Sequence, residues 1–152
     1  MSDKEASTEK QALDYALKLT DFLYDSHYLA HLPTRMTASR STYHQGGRGG
    51  YPHRITYGVQ TLLNFYQQGY WCTQRELRYV WVEETQREAK GFEAVWRLVL
   101  HEFAHVIQVN RKQRFKGGLH NWYYMGILRD LVRGFPFWQY GPERFTEQKG
   151  DA

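Results

Sequence analysis

Cysteine is almost missing from this chain: Cys72 is the only one in 152 residues. A single thiol excludes an intrachain disulfide framework and fits a reducing compartment. Its neighbours Trp71 and Thr73 carry no charge that would activate it, so a cysteine nucleophile has little support. Long apolar runs are missing as well. Nowhere do eighteen apolar residues follow one another, as a bilayer-crossing helix would require. The first residues, Met1-Ser2-Asp3-Lys4-Glu5, lack the basic-then-apolar layout of a signal peptide. The expectation is a cytosolic protein with no membrane partner. Internal repeats, low-complexity tracts and a second domain boundary are also absent. Charge is not extreme in either direction, at +4 with a pI of about 9.2.

Aromatic residues, by contrast, are plentiful: 12 Tyr, 8 Phe and 5 Trp make up 16% of the chain. They suit a compact core together with a cleft wall, and identify no ligand by themselves. A chain of this length forms one domain that buries about two-thirds of its unfolded surface. Residues 1–9 are polar and read as a disordered tail, leaving 10–152 as the domain. Gln11 to Tyr24 is amphipathic at helical spacing through Leu13, Ala16, Leu17, Thr20, Leu23 and Tyr24. Arg35 to Tyr43 and His53 to Tyr57 read as two short strands. The Gly-rich segment 45–52 between them is too long for a tight hairpin and is either a flap or a plain mobile connection. Gly58 to Tyr70 holds a short helix. Glu76 to Glu84 suits a helix or a strand equally. Beyond residue 134 an aromatic tail, Phe135 to Phe145, packs across the core. The pattern predicts an α+β fold with an N-terminal helix, a short antiparallel sheet and further helices.

One of those helices carries the chemistry. Residues 101–105 read His101-Glu102-Phe103-Ala104-His105, a His-Glu-x-x-His motif. Four residues are just over one helical turn, so both imidazoles leave the same face and can reach one metal ion. Glu102 is turned about 100° around the axis, where it can act on a water as general base without being a ligand. Composition alone would produce the bare motif in roughly one or two such chains per hundred, so its setting matters. From Gly91 to Asn110 the apolar residues Phe92, Val95, Trp96, Val99, Phe103, Val106 and Ile107 form one stripe. The two histidines lie nearly opposite it, with Ala94, Arg97, Ala104 and Gln108 as neighbours. Core histidines would lie on the stripe. Solvated surface histidines are the bland alternative, and ligands lining a cleft fit the pattern better.

A catalytic zinc site usually has three protein ligands and one open position. His120 is the best third candidate, with fourteen residues between it and His105. It opens a second helical pattern, sharing a face with Tyr123, Tyr124, Ile127, Leu128 and Leu131. Gly117-Gly118 permits the chain reversal that brings this helix back. In the first turn of a helix the dipole disfavours imidazolium, and a metal needs neutral imidazole. A buried structural histidine is the competing reading, and Asp130 is the runner-up ligand. Tyr123, Tyr124, Arg97 and Tyr140 are open candidates for stabilising an oxyanion.

The stretch from Ala94 to Leu131 resembles the SprT-like zinc metalloproteases, a branch of the zincins. The matching elements are His101-Glu102-Phe103-Ala104-His105, a polar basic loop, and His120 with an aromatic residue, Tyr124, four positions on. Where the family pattern has a small residue after the third His, this chain has Asn121. Arg35-Met36-Thr37-Ala38-Ser39 and His53-Arg54-Ile55-Thr56-Tyr57 are similar to the paired strands that precede the active helix. The resemblance implies a small zincin-like domain acting as a zinc-dependent endopeptidase. His101, His105 and His120 would be the zinc ligands, Glu102 the catalytic base and His53 to Tyr57 an edge strand that holds extended peptide. Many relatives carry a Cys-rich zinc ribbon, which one cysteine cannot build.

Positive charge is densest at Arg111-Lys112-Gln113-Arg114-Phe115-Lys116, between the two ligand-bearing helices. Arg111, Lys112, Arg114 and Lys116 could follow phosphates while Phe115 stacks on a base, though such a run is more often a solvated loop. Two functions from different classes stand. One is a protease acting on unfolded or DNA-associated proteins. The other is a nucleic-acid-associated binding module with a structural or vestigial metal site. Glu102 favours the enzyme, because a structural site has no use for a base and fills its fourth position with Cys or His.

Overall fold

A computed structural model describes residues 3–81, 89–112 and 119–146. Within them the chain is α+β, with six helices and one small sheet. The first helix, α1 (Asp3–Ser26), buries Ala12, Tyr15, Ala16, Leu19, Leu23 and Tyr24. It starts well before Gln11, so residues 3–9 are its first turns and not a disordered tail. Once that apolar stripe has anchored the helix, each added residue costs little, and Lys4, Glu5, Ala6, Glu9 and Lys10 are good helix formers.

The sheet corrects two expectations. The segment read as one strand from Arg35 to Tyr43 is two, β1 (Arg35–Thr37) and β2 (Tyr43–Gln45). A bend at Ala38-Ser39-Arg40 separates them. There the Ser39 hydroxyl lies 3.0 Å from the Thr37 hydroxyl and accepts the Ser41 N–H at 3.3 Å, a local alternative to strand pairing. Both pieces pair with β3 (Arg54–Gly58), β1 in parallel and β2 antiparallel, in the order β1-β3-β2. The sheet is therefore mixed, not wholly antiparallel. The strand expected at its edge is its centre: Thr56 is fully buried and registered with both Arg35 and Tyr43. Gly58 ends β3 where a Cβ would come within 2.5 Å of the Arg40 backbone, so the bend packs on bare backbone. The Gly-rich loop is seated on His53. At Gly47 (φ 85°) a Cβ would lie 2.2 Å from the His53 ring, and the Gly47 N–H donates to the Tyr51 carbonyl at 2.8 Å.

After the sheet come α2 (Val59–Gln68) and α3 (Gln74–Tyr79). The ambiguous stretch from Glu76 is thus helical to Tyr79. Thr73 caps α3, its hydroxyl accepting the Glu76 N–H at 3.2 Å; residues 82–88 lie outside the described residues. Next, α4 (Phe92–Asn110) packs against α1, α2 and α5 (Trp122–Gly134). A last short helix, α6 (Phe137–Tyr140), leads into a 3-10 turn at Pro142–Phe145. This aromatic tail lies on α1, as expected: the Tyr15 hydroxyl donates to the Tyr140 carbonyl at 2.7 Å, and the Phe22 ring meets Phe135, Tyr140 and Phe145.

The central helix is α4. Its apolar stripe is buried as expected, but so is most of the opposite side, including Ala94, Arg97, Leu98, Ala104 and Gln108. Each large side chain buried here contributes about 1.5–3 kcal/mol relative to exposure. From Ala94 to Val109 every residue is buried except His101 and His105, which are half-buried. Along that span the helix is most open to solvent at its two histidines. Among the described residues no helix is long and apolar enough to cross a membrane.

Candidate metal centre

His101 and His105 sit one turn apart on α4, and α5 returns the chain so that His120 meets them. One ring nitrogen from each of the three lies within 4.8 Å of the others. The ring centroids are 5.0 to 5.2 Å apart. His120 stands just outside α5, one residue before its N-cap Asn121, and not in the first turn. The dipole argument for neutrality accordingly weakens. Partial burial, with the charge of His101 beside it, is what holds the His120 imidazole below its ordinary pKa. Asp130, the runner-up, is exposed and outside the cluster.

Two of the rings are aimed by partners at their far nitrogens. His101 Nδ1 lies 2.9 Å from Glu76 Oε1 and 3.0 Å from the Tyr70 hydroxyl. Tyr70 in turn donates to Glu76 Oε2 at 2.6 Å, and the Trp81 indole donates to the same oxygen at 3.1 Å. The carboxylate thereby takes the Nδ1–H of His101 and leaves Nε2 free as a lone-pair donor. Burial alone would push the Glu76 carboxyl up, yet its hydrogen bond to His101, that ring's charge, and the bonds from Tyr70 and Trp81 hold it down at about 2. On His101 burial favours the neutral ring, and the bond and charge of Glu76 outweigh it and raise the pKa.

On the other side His105 Nδ1 lies 3.1 Å from Gln108 Oε1. The Gln108 amide also donates to the Leu119 carbonyl at 2.9 Å and to Asn121 Oδ1 at 3.2 Å. One side chain thus orients His105 and ties down the chain on both sides of His120. Asn121 accepts the Tyr124 N–H at 2.9 Å as the N-cap of α5. That gives Asn121 a structural task. Tyr124 completes the frame, stacking on His105 at 4.4 Å and donating from its hydroxyl to the His101 carbonyl at 3.0 Å.

Glu102 points into the same region, with 7% of its surface exposed. Burial raises its carboxyl to about 7, with the charge of His101 opposing and that of Glu76 adding to the rise. It lines a cleft of about 310 Å³ together with His101, His120, Glu76 and Tyr70. Arg40, Thr42, Phe65, Trp71, Cys72 and Leu98 also line it. The Cys72 thiol is pushed up to about 12 by burial and then by the charge of Glu76, so it stays protonated and is no nucleophile.

The donor set suits a metal. Three imidazoles, two of them presented through Nε2 by acceptors at Nδ1, are the ligands a borderline ion such as zinc takes. Three histidines therefore lie close enough to bind one ion, and the identity of that ion is a separate question.

Four oxyanion candidates fare differently. Tyr124 has its hydroxyl occupied by the His101 carbonyl. Arg97 is buried with its guanidinium 4.4 Å from the Trp81 ring, and Tyr140 belongs to the tail on α1. Tyr123 is half-exposed on α5. In the basic loop Arg111 and Lys112 are exposed at the end of α4; Arg114 and Lys116 lie outside the described residues.

Sequence reasoning missed Glu76 and Tyr70 altogether. Nothing in their spacing from His101 marks them, because a short connection and a six-residue helix bring them there. Gln108 did carry a signal, three residues after His105 on the same helix face. Comparison of the chain with protein-family models, curated proteins and solved structures finds no match.

Proposed function

We propose that this protein is a zinc-dependent endopeptidase of the SprT-like kind. The observation that carries the reading is the pairing of three convergent imidazoles with a buried carboxyl that is not one of them, where the carboxyl, His101 and His120 line an open cleft. His101, His105 and His120 would hold the zinc. When bound, zinc supplies a Lewis acid for the scissile carbonyl. The remaining work falls to the protein. Glu102 takes a proton from the attacking water on a carboxyl oxygen and returns it to the leaving amine. Glu76 and Gln108 keep the two rings of α4 at a fixed angle, so the ligands need not reorganise.

Substrate would be an unfolded or flexible protein segment, including one attached to DNA. Because β3 is enclosed on both sides, the backbone of that segment would pair with the free edge of β2. Arg40 and Thr42, on the approach to that strand, already line the cleft. Main-chain pairing gives affinity with little sequence preference and requires an extended substrate.

Glu102→Gln tests the reading. The substitution keeps shape, so zinc content should remain at one per chain while cleavage of a denatured test protein falls by about 10² to 10⁴. Unchanged cleavage would remove Glu102 from the mechanism. A parent protein that holds zinc yet cleaves nothing, with or without DNA, would favour the binding-module function instead.

A further inference from the structure

Arg40 is the only lysine or arginine among the residues that line the cleft. It sits in the bend between β1 and β2, and that bend is fastened to the start of α2. The Thr61 hydroxyl donates to the Arg40 carbonyl at 2.6 Å, and the Gln60 amide donates to the Ala38 carbonyl at 3.0 Å. The Gly58 N–H donates to the Thr42 hydroxyl at 2.9 Å. From this fixed backbone the Arg40 Nε–H donates to Gln60 Oε1 at 3.3 Å. That bond lays the guanidinium over the first turn of α2, beside Thr61 of the cleft lining. Gln60 is a neutral partner and engages one of the five N–H groups, which leaves the two terminal nitrogens of the fork. Among the described residues Arg40 has no carboxylate partner. The two acids of the lining are committed elsewhere: Glu76 is taken up by His101, Tyr70 and Trp81, and Glu102 is buried. A cation is thus held at the cleft with no counter-charge of its own.

We infer that Arg40 is a specificity-determining residue, a clamp for a carboxylate that the substrate carries within a few residues of the scissile bond. The inference rests on the peptidase reading and adds a substrate class to it: segments with an Asp or Glu side chain, or a chain terminus, near the cut. The planar fork of a guanidinium matches both oxygens of a carboxylate. Arg40 lies three residues before β2, so a chain paired with that strand would pass it. Holding the bend and Nε in place beforehand reduces the freedom lost when the clamp closes. The same charge repels Lys and Arg, so selection works in both directions.

The test uses fluorogenic peptides identical except at one position, which carries Glu, Gln or Lys and is scanned along both sides of the bond. A further pair ends close to the bond in a free carboxylate or in an amide. With the zinc-loaded parent, Glu should exceed Gln by about 5- to 20-fold in kcat/KM at one position, with Lys lowest. An advantage of the terminal carboxylate over the amide instead would assign the clamp to chain ends. Arg40→Gln should erase whichever preference is found, and Arg40→Glu should turn it toward Lys. Zinc content and circular dichroism should match the parent in both, since the residue is exposed. Three results would overturn the clamp: no carboxylate preference in the parent, a preference that survives Arg40→Gln, or a loss shared equally by all peptides. Weaker DNA binding in Arg40→Gln with the peptide ratios intact would also overturn it and give the fork to phosphate. If no peptide is cleaved, the peptidase reading fails, and the clamp is judged on binding of the same peptides to the zinc-loaded parent by fluorescence anisotropy. Tighter binding of a carboxylate peptide that is lost in Arg40→Gln upholds the clamp; equal or absent binding overturns it.

Discussion

Seven histidines fall into two groups, and the two use the same ring in different ways. Around β3 and the end of α1, each ring has a nitrogen engaged by something close at hand. His27 Nδ1 meets the Leu23 carbonyl at 2.7 Å, His31 Nδ1 the Leu32 carbonyl at 3.2 Å, and His44 Nε2 meets His53 Nδ1 at 2.8 Å. His31 stacks on Tyr24 at 4.2 Å, and the Gly47 backbone covers His53. These rings serve as polar packing. In the α4–α5 group, partners sit at Nδ1 of His101 and His105, and the three rings face one another. What separates a ligand from a packed ring is therefore not the number of histidines nearby. Nor is it an acceptor at Nδ1 alone, which His27 and His31 have too; it is that one nitrogen from each of three rings converges within 4.8 Å of the others.

Breaking the second group should have the largest effect. His101→Ala, His105→Ala and His120→Ala should each abolish stoichiometric zinc binding, read by elemental analysis of the dialysed protein. Each should also remove the stabilisation that bound metal adds, about 2.7 kcal/mol at a hundredfold excess over Kd, seen as a melting temperature no longer sensitive to a chelator. Zinc retained in His120→Ala and lost in Asp130→Ala would assign the third ligand wrongly.

Removing an acceptor and keeping the ring comes next. Glu76→Gln should weaken zinc binding about 10- to 100-fold without abolishing it, measured by competition with a chromogenic chelator. Gln108→Leu should do the same through His105, and should also loosen the chain around His120. An affinity unchanged in both variants would mean that the rings orient themselves and that the contrast between the groups lies elsewhere.

Smallest is the matching change in the first group. His44→Ala removes a ring–ring hydrogen bond and should cost about 1 kcal/mol in urea denaturation, with zinc affinity unaltered. A drop in zinc binding there would show that the two groups are coupled through β2 and α4, and the separation drawn above would not hold.

Much of the second group can be read along the chain, because its geometry is local. The one-turn spacing of His101 and His105 follows from helix pitch, and the apolar stripe of α4 makes the helix itself legible. His120 is legible by a weaker route, the start of another amphipathic pattern after a glycine pair. The position relative to that pattern was one step off, since Asn121 takes the capping place that the periodicity gave to the helix start. Glu76 left no trace. It lies in a stretch where helix and strand signals tie, and its contact with His101 spans 25 residues. The sheet order was equally hidden. A three-residue strand carries too little alternation to show which neighbour it pairs with, and the bend at Ser39 depends on side-chain bonds that no period reports.

The amino-acid order by itself determined that α4 forms, that two imidazoles leave it together and that Glu102 stands beside them, because hydrogen bonds and side-chain directions repeat every few residues along a helix. Only the tertiary structure decided which carboxylate stands behind His101, that β3 is enclosed with β1 and β2 left as the edges, and that the side of α4 opposite its stripe is buried except at the histidines. Those outcomes depend on which distant segments share one core, and the free energy of that packing belongs to the whole chain and to no window of it.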